Sequence, residues 1–481
     1  MAHPEVVIPI SSTTVVRAPF RERISWALYD FANTIFSMNI ATLYFNVWLI
    51  SDLHAPNTAV AVGNGISSFL VAVSIPIFGA ISDARRRRVP WVVWLTLIAV
   101  AATIGMGVIG QTIVPLTGDN VIGGVTMPAG WQIGGTALAA ILAAFVLANY
   151  TYQGAIPFYN AMLPDLVPQS EQGRLSGLGS AMGYIGAILG VILIAPFFDG
   201  TVPMLGKVPS GMMRTLHSLV PFTSHEGRAA TFVPTALLFL LFSLPLFFFC
   251  RDHTPAKDKR PIRLGEAFRS LWQTFRDTKH HPGALRFILT SFLYQDAMGT
   301  IVSFMAIYAI KAMKFESGTE RKLFIVLTIP AVFGAYFAGK LVDKIGPKKT
   351  LMGVLTCWIA LLIGLIFVPS QSAFWALGFG IGFIFGGVST AERPLLLTLI
   401  PKEEAGRFFS LMVLSSRAAA ILGPFVWAFA VDGLTPQFGE GFAYRAAVGT
   451  VSVGFVLALA LLSTVPDRFK RGSLVQSPIG S

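Results

Sequence analysis

The chain has 481 residues, of which 54% are hydrophobic and 12% charged, and its net charge is +12. A soluble domain carries about 25% charged residues, so this composition excludes a water-soluble protein and points to a membrane. Two cysteines, Cys250 and Cys357, offer neither a disulfide framework nor metal-ligand spacing, and the histidines form no zinc-binding pattern.

Residues 1–23 form a polar tail containing Pro4, Pro9 and Pro19, with no cleavable signal peptide expected. Twelve apolar blocks follow at 24–50, 58–82, 90–110, 134–161, 175–198, 229–250, 286–310, 323–342, 350–369, 372–398, 408–431 and 445–465. Each is about long enough to cross a roughly 30 Å hydrocarbon layer as a helix. The predicted fold class is an all-α integral membrane protein, with twelve transmembrane helices in two pseudo-symmetric six-helix bundles.

The expected halves are 24–250 and 286–465, joined by a linker at 251–285 and followed by a tail at 466–481. Within the linker, Leu264, Phe268, Leu271, Trp272 and Phe275 recur at helical spacing, which predicts an amphipathic interfacial helix. With both termini cytoplasmic, and with Arg286, Lys340 and Arg445 at the block ends assigned to the adjoining segments, 26 of the 36 Lys and Arg residues fall in cytoplasmic segments, 8 outside and 2 within the membrane. The positive-inside rule favours this orientation and accounts for the basic charge, so no nucleic-acid partner is expected.

The halves repeat one another. Gly79-x-x-x-Asp83 precedes Arg85 to Arg88, and Gly339-x-x-x-Asp343 precedes Lys344, Gly346, Lys348 and Lys349, 260 residues later. Pro168-x-x-Glu171-x-Gly173-Arg174 recurs 233 residues later as Pro401-x-x-Glu404-x-Gly406-Arg407. Ala187-Ile188-Leu189-Gly190 recurs at the same spacing as Ala420-Ile421-Leu422-Gly423. The long connection at 111–133 accounts for the difference. A weaker match sets Tyr29-Asp30-x-x-x-Thr34 against Tyr294-Gln295-Asp296-x-x-x-Thr300. Ordered matches on corresponding helices argue for duplication.

The Gly79 to Arg88 segment resembles the signature between helices 2 and 3 of the major facilitator superfamily. It departs from pattern at Arg86, where glycine is usual; the second copy has Pro347 where a basic residue is usual. Trp26-Ala27-Leu28-Tyr29-Asp30-Phe31-Ala32-Asn33-Thr34 resembles the first helix of the unknown major facilitator family, which includes a fungal vacuolar amino-acid effluxer linked to autophagy. Tyr159 to Asp165, Tyr294 to Asp296 and Leu422-Gly423-Pro424 resemble further motifs of that family. The resemblance implies alternating access about a central cavity, and an amino acid as the first candidate cargo.

Ionisable residues inside a helix bundle are costly unless paired or hydrated, and so mark function. Asp30 and Asp296 are the proton-coupling candidates, with a structural carboxylate or direct substrate contact as alternatives. Arg417 is expected near mid-membrane, either paired with an aspartate or binding an anionic group of the substrate. Tyr29, Asn33, Thr34, Asn149, Tyr152, Gln153, Tyr184, Tyr294, Gln295 and Thr300 are candidate cavity-lining residues. Glu392 and Arg393 are a candidate gate ion pair, with a snorkelling arginine as the alternative.

The superfamily resemblance implies a cytoplasmic latch of Asp83, Arg87, Asp343 and Lys348. Glu171 with Arg174, and Glu404 with Arg407, have the spacing of pairs three apart on a helix. Gly334-x-x-x-x-Gly339-Lys340 lacks the Ser or Thr and the strand of a phosphate loop, so no nucleotide drive is expected. The expectation is a monomeric secondary transporter, not an enzyme, with no cofactor or metal. Its partners are a small-molecule substrate, membrane lipid and protons; its place, in a bacterium, is the plasma membrane. A receptor or scaffold retaining the fold is the alternative.

Overall fold

The computed structural model describes residues 17–53, 57–85, 87–112, 120–122, 125–127, 135–203, 205–223, 227–253, 282–315, 319–419 and 422–469. Among them are twelve helices of 15 residues or more. Those before the linker are α1 (Phe20–Phe36), α2 (Asn57–Arg85), α3 (Val89–Thr112), α4 (Gly135–Ala161), α5 (Gln172–Asp199) and α6 (Phe232–Phe249). After it come α7 (Pro282–Lys311), α8 (Thr319–Ile345), α9 (Pro347–Ile366), α10 (Gln371–Leu399), α11 (Ala405–Ala419) and α12 (Leu422–Ser463). The expected linker helix lies outside the described residues.

Helix boundaries follow local chemistry. Ser370 accepts a hydrogen bond from the Ala373 N–H and caps α10. Pro347 opens α9, where its missing N–H costs nothing. Gly200 ends α5 in the left-handed conformation, φ 69°. Past Phe36 the first helix continues as π-helical turns at Ser37–Tyr44 and Trp48–Asp52. α12 has 42 residues, a length of about 63 Å at 1.5 Å each. That is twice a hydrocarbon layer, and it breaks at Gly439, where φ is 78°. The predicted block 408–431 is therefore shared between α11 and the first part of α12.

Eight helical spans among the described residues are long and apolar enough to cross a membrane, from α3, α4, α5, α6, α8, α9, α10 and α12. The other four depart for identifiable reasons. α1 and α11 are shorter, at 17 and 15 residues. α7 carries Arg286, Ser291, Gln295, Asp296 and Thr300 among its apolar residues, and α2 contains a shorter apolar stretch at Gly63–Ser74. Small hairpins pair 120–122 with 125–127 and 201–202 with 206–207.

Two hydrophobic cores divide the chain. Among the described residues, one gathers side chains from Ala18 to Cys250, the other from Ala284 to Val465, which Ala161 joins from the first half. Within the first half α1 packs on α5 and α6, and α4 on α2 and α3; within the second, α7 packs on α11 and α12, and α8 on α10. The halves meet through α5 on α8 and α10, and α11 on α2 and α4. Close approach requires glycine here. A Cβ at Gly177 would lie 2.6 Å from the Ala335 carbonyl and 2.9 Å from Gly339 Cα.

Candidate functional site

Trp26 and Asp30 lie one turn apart and share a face of α1. Asp30 receives Arg393 from α10: Nη1 donates to Oδ2 at 2.9 Å and Nη2 to Oδ1 at 3.4 Å. The two side chains are 10% and 15% exposed. The guanidinium carbon lies 5.7 Å from the ring centres of both Trp26 and Tyr159. Those rings stack at 4.6 Å, fixed by the Trp26 indole N–H donating to the Tyr159 carbonyl at 3.0 Å. A buried charge pair persists only with good geometry and added contacts, and the two-point hydrogen bond and the aromatic faces supply them. Gly179 makes room: a Cβ there would stand 2.9 Å from Asp30 Oδ2.

Glu392 does not pair with Arg393. Successive helix positions do not face each other, and Glu392 turns into the second half. Its Oε1 accepts from Ser291 Oγ at 3.0 Å, and Gln295 Nε2 lies 3.2 Å from both carboxylate oxygens. A cavity of about 150 Å³ opens beside it, lined by polar Asn160, Gln295, Ser389 and Ser416 and apolar Phe409, Met412 and Val413, with Glu392 and Arg393 between. Asn160 Oδ1 is buried there without a hydrogen-bond partner among the described residues.

Asp296 has a different setting. Its Oδ1 accepts the Gly423 N–H at 2.8 Å in the first turn of α12, and its carbonyl accepts from Thr300 Oγ1. A Cβ at Gly423 would collide with that Thr300 hydroxyl. Gly190, the counterpart of Gly423, packs instead on Ile35 and Asn39. Packing thus sets Asp296 against Ile35 and Thr300 against Asn39, a spacing of 261 that agrees with the 260 of the glycine-aspartate motifs. Ser291 then corresponds to Asp30. The sequence match of Asp30 with Asp296 is five residues out of register, more than a full turn, and the two aspartates are not equivalents.

The remaining cavity candidates divide. Tyr29 is fully buried, with its hydroxyl 2.8 Å from Thr96 Oγ1, and Thr34 bonds back to the Asp30 carbonyl. Gln153 donates to Asn149, and Tyr152 packs on Phe36, so these three belong to the interior of the first half. Asn33 is buried on α1, and Tyr294 is fully buried on α7. Tyr184 meets Phe385 across the interface, close to where Ser389 donates to Ser180 at 3.3 Å. The Arg417 side chain lies outside the described residues. Asn160 belongs to the polar cluster on the fourth helix that the sequence offers as a cavity wall, whereas Ser291, Ser180 and Ser389 are not distinguished by sequence, because hydroxyl side chains are common in apolar helices.

At the end where α2 turns into α3, Asp343 accepts the N–H groups of Gly173 (2.9 Å) and Arg174 (3.1 Å) at the start of α5. Arg174 Nε adds an ion pair at 3.2 Å. One half therefore caps a helix of the other, whose N-terminus favours negative charge. The expected Glu171–Arg174 pair does not form, because Glu171 takes Arg17 at 3.0 Å and Arg174 reaches Asp343. Lys348 is not in the latch either: its ammonium donates to the Ser463 carbonyl. Arg87 is exposed, and the Asp83 side chain lies outside the described residues. Gly79, one turn earlier, packs against Gly406 and Arg407 at the start of α11, below Glu404. Among the described residues no group of three His, Cys, Asp or Glu could hold a metal.

The family model for the Major Facilitator Superfamily matches residues 31–424 and 322–475. The chain is 23% identical over 455 residues to an uncharacterised MFS-type transporter, YxiO, of Bacillus subtilis (strain 168), covering 93% of this chain and 95% of that one. It is 26% identical over 424 residues to the multidrug resistance protein MdtG of Proteus mirabilis (strain HI4320), covering 85% and 88%. Among solved structures it resembles an outward-facing bacterial homologue of the iron transporter ferroportin, at TM-score 0.66 and 15% identity, over 93% of this chain and 99% of that one. It also resembles the transporter FucP in its outward conformation, at TM-score 0.65 and 13% identity, over 93% and 98%. The chain belongs to the Major Facilitator Superfamily of membrane transporters.

Proposed function

We propose that this chain is a proton-coupled secondary transporter that moves a small polar solute by alternating access, with Asp30 as the proton site. The observation that carries this reading is the Asp30–Arg393 pair, which joins α1 of one half to α10 of the other. A proton on Asp30 removes the charge that holds Arg393. It thereby loosens one of the contacts that must break for the halves to part at the α2–α3 end. Asp343 with Gly173 and Arg174 is the second such contact. With both termini in the cytoplasm of a bacterial cell, that end is the cytoplasmic gate of a plasma-membrane protein; the contacts of Asp30 with Arg393 and of Asp343 with Gly173 and Arg174 support reading it as closed.

The cargo site is the cavity beside Glu392. Amino acids are the first candidates, on the resemblance of the first helix to an amino-acid effluxer family. The MdtG relatives add amphiphilic drugs to the panel. The test is uptake or efflux of labelled amino acids and drugs in proteoliposomes under an imposed pH gradient. The native protein should drive accumulation of at least one of them, and D30N should abolish the response to the gradient while leaving exchange at equal pH. Gradient-driven flux unchanged in D30N would end the proton assignment. No flux of any solute would favour a scaffold over a carrier.

A further inference from the structure

Glu392 is 8% exposed and its carboxylate meets neutral donors, Ser291 and Gln295. No Lys, Arg or His among the described residues lies within ion-pairing distance of it. The nearest cation in sequence, Arg393, points the other way, with both terminal nitrogens on Asp30 and two aromatic rings against its faces. Among the described residues the two charges at adjacent positions are therefore engaged separately: Arg393 pairs with Asp30, and Glu392 meets neutral donors. Asn160, whose Oδ1 is buried and unpartnered among the described residues, lines the same cavity. Phe409, Met412 and Val413 supply an apolar wall.

A lone carboxylate held in a low-dielectric bundle costs several kcal/mol unless a cation or a proton joins it. With Glu392 ionised, this cavity presents one carboxylate, the Asn160 amide and an apolar surface, at a volume of about 150 Å³ that admits a single-ring molecule. We infer that it recognises the ammonium group of an amine-bearing solute, with Glu392 as counter-ion, Asn160 Oδ1 as second acceptor and the Phe409–Met412–Val413 wall against the apolar part. Anions are disfavoured, since the guanidinium that borders the cavity is committed to Asp30. The inference rests on the proposed role of this cavity as the cargo site.

The test uses the full-length protein in lipid nanodiscs and three matched probes: benzylamine, benzyl alcohol and benzoate. They share a ring and differ in head-group charge. Benzylamine should bind saturably, with the other two about tenfold weaker or worse, a difference of about 1.4 kcal/mol. E392Q should erase that preference. Should E392Q fail to fold, M412K places a tethered ammonium in the cavity and should abolish benzylamine binding. Benzoate binding as tightly as benzylamine overturns the inference, as does benzylamine affinity within twofold of native in both E392Q and M412K. Counterflow of benzylamine in proteoliposomes separates this from the transport reading. Binding that depends on Glu392 without counterflow leaves the amine site standing and removes the carrier; counterflow indifferent to E392Q and M412K does the reverse.

Discussion

Arg393 reaches Asp30 across the boundary between the two halves, Nη1 to Oδ2 at 2.9 Å, although 363 residues separate them in the chain. Duplication does not reproduce this pair. The counterpart of Arg393 is Asn160, at the 233 spacing, and the counterpart of Asp30 is Ser291, at the 261 spacing. The mirror image of an ion pair is therefore a neutral amide and a hydroxyl, and both lie beside Glu392, one lining its cavity and the other donating to its carboxylate.

Removing one member of the pair should cost more than removing both. D30A strands a buried guanidinium, and R393A a buried carboxylate. Such truncations cost about 3–5 kcal/mol in protein interiors. The double variant D30A/R393A leaves no lone charge, so its loss should fall well short of the sum. Thermal unfolding in detergent across the four proteins measures this, and strictly additive losses would show that the two groups do not support each other.

The α2–α3 end should open when its cap is removed. D343A deletes the acceptor for two N–H groups and the partner of Arg174. G177L places a branched side chain where a single Cβ would already sit 2.6 Å from the Ala335 carbonyl. Spin labels at Ser170 and Lys349, exposed positions in opposite halves, should report longer distances in both variants. An unchanged distribution in both would mean that neither the cap nor the glycine contact holds this end shut.

Much of this architecture was legible because it is written locally and twice. Gly-x-x-x-Asp and Gly-Arg recur at fixed spacing, and they mark the elements that meet at the closed end. Partner choice was not legible. Glu171 and Arg174 have ideal spacing for each other, yet each has a stronger claim elsewhere, on Arg17 and Asp343. Asp30 was visible as a charge in an apolar helix, but nothing local names Arg393. Asp296 shows the opposite hazard: an Asp-x-x-x-Thr motif on the corresponding helix imitated Asp30, and only packing against Gly190 and Gly423 exposed the slip.

Asp30 and Asp296 should therefore respond differently to the same substitution. D296N keeps an oxygen that can accept the Gly423 N–H, so pH-driven flux and stability should stay near native. D296A loses the cap, at about 1 kcal/mol. D30N keeps the shape but gives up the charge opposite Arg393 and with it the proposed proton site, so gradient-driven flux should vanish. Equal loss in D30N and D296N would restore the two aspartates to equivalent roles.

Gly423 provides the sharpest check on that register. Its N–H is held by Asp296, and the Thr300 hydroxyl stands where a Cβ would go. G423A must push Thr300 or shift α12, and overpacking of this kind costs about 1–3 kcal/mol. T300A alone removes a hydroxyl bonded to the Asp296 carbonyl, a loss of about 1 kcal/mol. In the double variant G423A/T300A the new methyl takes the space the hydroxyl left, so the pair should be more stable than G423A alone. Gly433, exposed on α12 with nothing within 4 Å of its Cβ position, serves as the control. G433A should stabilise slightly, by up to about 1 kcal/mol, because alanine is the better helix former. If T300A does not relieve G423A, Thr300 is not the group that Gly423 avoids, and the pairing of Asp296 with Ile35 across the duplication loses its anchor.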